Sequence, residues 1–226
     1  MSDAFYRIVR CVGKPAFVLS SAPTVLHADR LKGTEPVLIA PNHLSPYDVP
    51  CLMASTPRLL DFVSIVEVFR KRLAAWFLGN MNAFPLDRSR RDPATTRRIL
   101  DRLAKGRTVV MFPEGQIRDA DRSLLAGGDF KPSVVRLARL ANVPIIPCVL
   151  LATGAYGRAR AWLPLRRTRY AIWFGERLTV VQSDDEGADC AEALIRLRQA
   201  YDAGYAELRA ASGLTVEDAP WRLPRI

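Results

Sequence analysis

Val37-Leu38-Ile39-Ala40-Pro41-Asn42-His43-Leu44-Ser45-Pro46-Tyr47-Asp48 reads as a strand, a turn and the start of a helix. Val37 to Ala40 is a short apolar run of strand type, and Ser45-Pro46-Tyr47-Asp48 has a helix-start pattern. Ser45 fits the N-cap, Pro46 the first helical position and Asp48 the third. His43, one of 2 histidines in the chain, then lies in the turn. Asp48 sits in the first helical turn, where the macrodipole favours an ionised carboxylate. Such an Asp accepts from one imidazole nitrogen and leaves the other to take a proton, which is what general-base catalysis on a hydroxyl requires. Taken alone, the same spacing serves a capped turn, with Asp48 as a capping-box carboxylate. The reading turns on what accompanies it.

Outward from this stretch the chain alternates in the α/β manner. Helices are expected over 46–56, 67–79, 93–105, 131–142 and 187–211, and strands over 24–28, 37–40, 60–65, 82–86, 108–112, 145–150 and 169–175. This predicts an α/β fold, a single-domain mixed β-sheet flanked by helices, with functional residues at strand ends. Phe5, Ile8, Val9 and Val12 recur at helical spacing, so 1–22 reads as an amphipathic helix that docks on the domain or lies in a lipid interface. Phe69, Leu73, Trp76 and Phe77 form a second stripe, suited to core packing or to lining an acyl-chain channel. Residues from 210 or 212 to 226 read as a surface tail, and the whole of 1–226 as one domain with a motif-bearing core over 36–150.

Three further segments accompany His43 and Asp48. Thr108-Val109-Val110-Met111-Phe112-Pro113-Glu114-Gly115-Gln116-Ile117-Arg118 reads as a buried strand delivering Glu114 and Arg118 to a loop. Asn82-Ala83-Phe84-Pro85-Leu86-Asp87-Arg88 is a short apolar segment ending in a cation, and Val143-Pro144-Ile145-Ile146-Pro147-Cys148-Val149 is an apolar run punctuated by proline. In content and order the four segments resemble the motifs of the glycerolipid acyltransferase family, which includes the 1-acylglycerol-3-phosphate acyltransferases. The H-x4-D and F-P-E-G elements carry most of the specificity.

The resemblance implies that His43 is the general base and Asp48 its orienting partner, while Arg88, Glu114 and Gly115 help to bind a phosphate-bearing acceptor. It implies the same α/β architecture. The family's third motif commonly runs Glu-Gly, a small residue, then Arg; here Gln116 and Ile117 precede Arg118, which is taken as a further acceptor contact. Independently, Lys131 stands just before a helix start, where a cation is misplaced unless an anion shares the site, making it a candidate phosphate contact.

The expected reaction is O-acyl transfer from acyl-CoA or acyl carrier protein to the hydroxyl of a lysophospholipid, with 1-acyl-sn-glycerol 3-phosphate the first expectation. Glycerol 3-phosphate, other lysolipids and lyso-ornithine lipids are alternative acceptors within the resemblance. A thiolate leaves easily, so one base with its orienter suffices and no cofactor is expected. There is no G-x-S-x-G elbow, and neither the two histidines nor the scattered cysteines Cys11, Cys51, Cys148 and Cys190 have metal-ligand spacing, so no metal site is expected. The cysteines read as reduced thiols.

A net charge of +10 concentrates anions at the surface. Phospholipid headgroups, phosphorylated acceptors and coenzyme A all qualify; nucleic acid is the alternative partner, but no helix-turn-helix, zinc finger or RNA-binding signature supports it. No segment reaches the roughly 20 apolar residues that span a bilayer, and the N-terminal stretch lacks a cleavable signal pattern. The expectation is peripheral binding to the cytoplasmic face of the membrane, helped by Arg166 and Arg167 beside Trp162, Leu163 and Leu165.

Overall fold

The structure, a computed structural model, describes residues 2–86 and 92–221. Strands β1 (Ser21–Leu26), β2 (Val37–Pro41), β3 (Leu60–Ile65), β4 (Ala83–Leu86), β5 (Thr108–Val110), β6 (Ile145–Leu151) and β7 (Thr168–Phe174) form one sheet in the order β1-β7-β6-β2-β5-β3-β4. β2 to β6 run parallel, β7 runs antiparallel to β6, and β1 pairs parallel with β7. The C-terminal ends of β2 through β6 therefore open on one edge of the sheet. The turn carrying His43, the loop carrying Glu114 and the loop after Leu151 all leave from that edge.

Both faces of the sheet are covered, which explains strands of nearly continuous apolar sequence. Leu38, Val109, Ile145, Val149, Ala171 and Trp173 point to one side, against helices α4 (Pro93–Ala104), α5 (Ser133–Ala141) and α6 (Glu186–Ser212). Ile39, Val110, Ile146, Cys148 and Ile172 point to the other, towards α1 (Asp3–Ser20) and α2 (Asp48–Ser55). The period of two along each strand sorts these side chains. At Gly204 of α6 a Cβ would come within 2.5 Å of the Trp173 ring, so the close helix–sheet approach there requires glycine.

The expected mixed sheet flanked by helices is the one observed, with four local corrections. The 67–79 helix divides into a 3₁₀ turn, Val66–Phe69, and helix α3 (Arg72–Asn80), whose stripe faces outward: Leu73 is 84% and Trp76 59% exposed. α2 starts at Asp48 rather than Pro46, because the Ser45 hydroxyl closes a two-residue turn by accepting from the Tyr47 N–H at 2.9 Å. β5 ends at Val110; Pro113 carries no N–H, and the chain turns at Gly115 with φ +69°. The surface tail is partly a packed segment: Leu214 is buried, and Trp221 lies against Tyr47 with ring centroids 5.6 Å apart.

α1 docks on the sheet, but only with one side. Its Asp3 is gripped by Arg107 at 2.9 and 3.0 Å and by Asn82 at 2.9 Å, and Arg107 also holds the buried Asp61 at 2.6 Å. Chiefly through the bond from Arg107, the Asp3 carboxyl is held down to about 2. Tyr6 and Phe17 are buried and Phe5 and Val9 pack inward, whereas Ile8 and Val12 of the expected stripe face out, Val12 with 74% exposure.

Candidate active site

His43 and Asp48 meet as the spacing requires. Nδ1 of His43 lies 2.8 Å from Asp48 Oδ2, which also accepts from the backbone N–H groups of Leu44 at 2.9 Å and Ser45 at 3.0 Å. Oδ1 accepts from the Thr153 hydroxyl. Every neighbour is a donor, the arrangement an ionised carboxylate takes, so the imidazole proton belongs on Nδ1. Nε2 is then a lone-pair acceptor with no hydrogen-bond partner among the described residues. Asp48 is fully buried, while the His43 side chain keeps 17% exposure, enough for a substrate hydroxyl to reach it.

The His43 turn is held from three sides. Asn42, buried, extends the β2–β6 pairing with its side chain: Nδ2 donates to the Leu150 carbonyl at 3.0 Å, and Oδ1 accepts from the Leu150 N–H at 2.6 Å. Arg118 N–H donates to the His43 carbonyl at 2.9 Å, and the Phe112 ring stacks on the imidazole at 3.9 Å. Glu114 closes the third side, its Oε2 accepting from His43 N–H at 2.5 Å and its Oε1 from Leu124 N–H at 2.8 Å.

That placement gives Glu114 backbone partners on both oxygens. Its carboxylate is buried and both oxygens are engaged with backbone, so it braces the turn that bears His43. Burial pushes the carboxyl up to about 7 against the pull of the two N–H donors. Gly115 does stand beside a cation: a Cβ there would lie 2.9 Å from Lys131 Nζ. Lys131 is tied to the same loop by its N–H on the Pro113 carbonyl at 2.9 Å. Arg88 lies outside the described residues.

A cavity of about 240 Å³ opens beside the dyad, between Leu44, Arg118, Thr153 and the segment 216–221. Arg118 Nε and Trp221 Nε1 are buried donors without an acceptor among the described residues, and both side chains line this space. Asp119, Asp121, Glu217 and Asp218 line it as well. The sequence reading assigned no role to Asn42, Phe112 or Thr153. Asn42 and Phe112 sit inside the quoted motifs, where adjacency to His43 and Glu114 is the available signal. Thr153 carries none, since its contact with Asp48 spans 105 positions.

His27, the other histidine, follows β1 at the opposite edge and pairs with Glu207 at 2.7 Å, away from the dyad. Among the described residues no cluster of His, Cys, Asp and Glu is arranged to hold a metal ion.

The family model described as Acyltransferase matches residues 23–151, more than half the chain. A chloroplastic 1-acyl-sn-glycerol-3-phosphate acyltransferase of Brassica napus is 31% identical over 123 residues, 53% of this chain and 34% of the relative. A lyso-ornithine lipid O-acyltransferase of Pseudomonas aeruginosa is 34% identical over 82 residues, 36% of this chain and 31% of the relative. The matched segments thus span about a third of each of these two relatives. The crystal structure of the 1-acyl-sn-glycerophosphate acyltransferase from Thermotoga maritima superposes with a TM-score of 0.66 at 19% identity, covering 88% of this chain and 78% of that one. With the matched region running from β1 to the end of β6, through the His43 turn and the Glu114 loop, the chain belongs to the acyltransferase family.

Proposed function

We propose that this chain transfers an acyl group from a thioester to the free hydroxyl of a lysophospholipid, with 1-acyl-sn-glycerol 3-phosphate as acceptor and phosphatidic acid as product. The observation that carries the reading is the His43–Asp48 pair, with Nδ1 occupied and Nε2 open at the edge where five strands end. The acceptor hydroxyl gives its proton to Nε2 as its oxygen attacks the thioester carbonyl. Asp48 stabilises the imidazolium that forms. The tetrahedral intermediate collapses with loss of the thiolate, which recovers the proton and leaves His43 neutral. A thiolate is a good leaving group, so one base serves both steps.

The acyl donor is acyl-CoA or acyl carrier protein, the acceptor is membrane lipid, and no cofactor takes part. Arg88, by its place in the second motif, and Lys131 and Arg118, by position, supply positive charge for the acceptor headgroup. Arg118, which lines the cavity, brings a guanidinium that suits an oxygen-rich group. The four acidic residues lining the same cavity favour a second acceptor reading, a lysolipid whose headgroup also bears an ammonium, as in a lyso-ornithine lipid.

Purified protein given acyl-CoA or acyl carrier protein thioester and a panel of lysolipids, with lipid products identified by mass spectrometry, tests this. Phosphatidic acid is the expected product. Acylation of an ammonium-bearing lysolipid with lysophosphatidic acid untouched would move the second reading ahead, and no product from any lysolipid would refute acyl transfer.

A further inference from the structure

We propose that Thr153 is the third member of the His43–Asp48 unit, a positioning residue whose hydroxyl fixes the Asp48 carboxylate so that one oxygen stays on the imidazole. The inference rests on the acyl-transfer reading. The two Asp48 oxygens are unequally supplied: Oδ2 faces His43 Nδ1 and two backbone N–H groups, while Oδ1 has the Thr153 hydroxyl as its only hydrogen-bond donor among the described residues. Both side chains are sealed from solvent, Asp48 at 0% and Thr153 at 1% exposure, so water does not substitute.

The donor chain continues one step. Thr153 Oγ1 also lies 3.2 Å from Ser45 Oγ, and one hydroxyl proton cannot serve two acceptors. The Thr153 hydroxyl thus faces two acceptors, of which the charged Asp48 oxygen is the stronger, while the Ser45 oxygen also accepts from Tyr47 N–H. The turn that carries His43 and the loop after β6 are thereby locked through the carboxylate. Ala152, at φ 59°, swings the chain out of β6 into the turn that begins at Thr153. At Gly154 a Cβ would come within 2.3 Å of the Ala219 carbonyl, so the 214–221 segment covers this loop.

Without the hydroxyl, Oδ1 is a buried acceptor with nothing to accept. The carboxylate then rotates off Nδ1, and the imidazolium that forms on proton transfer loses its stabilising partner. Other titratable groups facing Asp48, the thiols of Cys51 and Cys148, have pKa values raised by burial, and Glu114 grips His43 from the backbone side; a substitution at Thr153 alters none of them directly.

The test compares Thr153→Val, which keeps the shape, with Thr153→Ser, which keeps the donor, measuring kcat, KM and the pH dependence of thiol release. Thr153→Val should lower kcat roughly ten- to hundredfold, the range for losing a hydrogen bond to a charged group, with KM nearly unchanged. Because the imidazolium is less stabilised, the acid limb of its pH–rate profile should move to lower pH, and Thr153→Ser should restore most of the rate and the limb. Wild-type kcat and limb in Thr153→Val, or equal impairment of both variants, would overturn the inference. If the valine protein does not fold, Thr153→Cys, a weak donor of similar size, should lose rate with the same limb shift; an unshifted limb overturns the inference. His43→Ala run alongside separates the two ideas, since normal turnover there refutes the acyl-transfer reading itself.

Discussion

Glu114 accepts two backbone N–H bonds, which favour its charged form, while burial favours the neutral one and prevails, pushing its carboxyl up to about 7. Between about pH 4.5 and 7 the folded state then keeps a proton that the unfolded chain has released. Stability contributed at this site therefore falls as pH rises through that window. Glu114→Gln lacks the titration, and its amide turns an –NH₂ against one of the two N–H donors, so it should be less stable than wild type, most clearly near pH 4.5. Raising the pH to 8 should shrink that deficit by on the order of 3 kcal/mol, read from urea midpoints. A deficit that grows with pH would show that the backbone donors outweigh burial. Arg88, outside the described residues, makes a separate prediction. Arg88→Ala should raise KM for a phosphorylated acceptor roughly ten- to hundredfold, and an unchanged KM would remove it from the site.

At the scale of elements, the Arg107 contacts decide how α1 sits. Arg107→Ala leaves the buried Asp61 to Arg102 and Asp3 to Asn82, so it should destabilise the fold by about 3 kcal/mol or more. A loss under about 1 kcal/mol in urea unfolding would show that α1 is held by Tyr6 and Phe17 packing instead. The elements were largely legible in the sequence because strands buried on both faces give compact apolar runs, and proline and glycine punctuate them. The His43–Asp48 pair was legible for the same local reason, since five residues of turn and helix start set its geometry. Glu114 shows where that reasoning stops. The motif resemblance implied a contact with the acceptor phosphate, whereas the bond from His43 N–H emerges only when β2 and β5 lie side by side and that from Leu124 N–H only when the loop after β5 folds back. The α3 stripe shows another limit: helical periodicity finds an apolar face without saying whether protein or another surface covers it.

Across the whole molecule, that uncovered face adjoins α1. Phe5 of α1 packs edge-on against Trp76 and Phe77, and at the other end Phe17 meets Trp162, next to Leu163 and Leu165, the latter 81% exposed. No described helix is long and apolar enough to cross a membrane. A lysolipid substrate resides in a bilayer, and an apolar face flanked by Arg70, Lys71, Arg72, Arg166 and Arg167 matches an anionic lipid surface. Each cation near such a surface contributes about 1 kcal/mol, screened over roughly 10 Å at 0.1 M salt. Sedimentation with anionic vesicles should therefore fall as salt rises, and should fall further when Arg166 and Arg167 become Gln or Trp76 becomes Asp. Indifference to vesicles at low salt together with tight binding of duplex DNA or RNA would assign the positive charge to nucleic acid instead. The proposed reaction turns on one base. The most direct test is the rate of acceptor-dependent thiol release by folded His43→Ala protein on lysolipid-bearing vesicles. A loss of roughly 10² to 10⁴-fold is predicted, and turnover near that of the wild type would contradict the account.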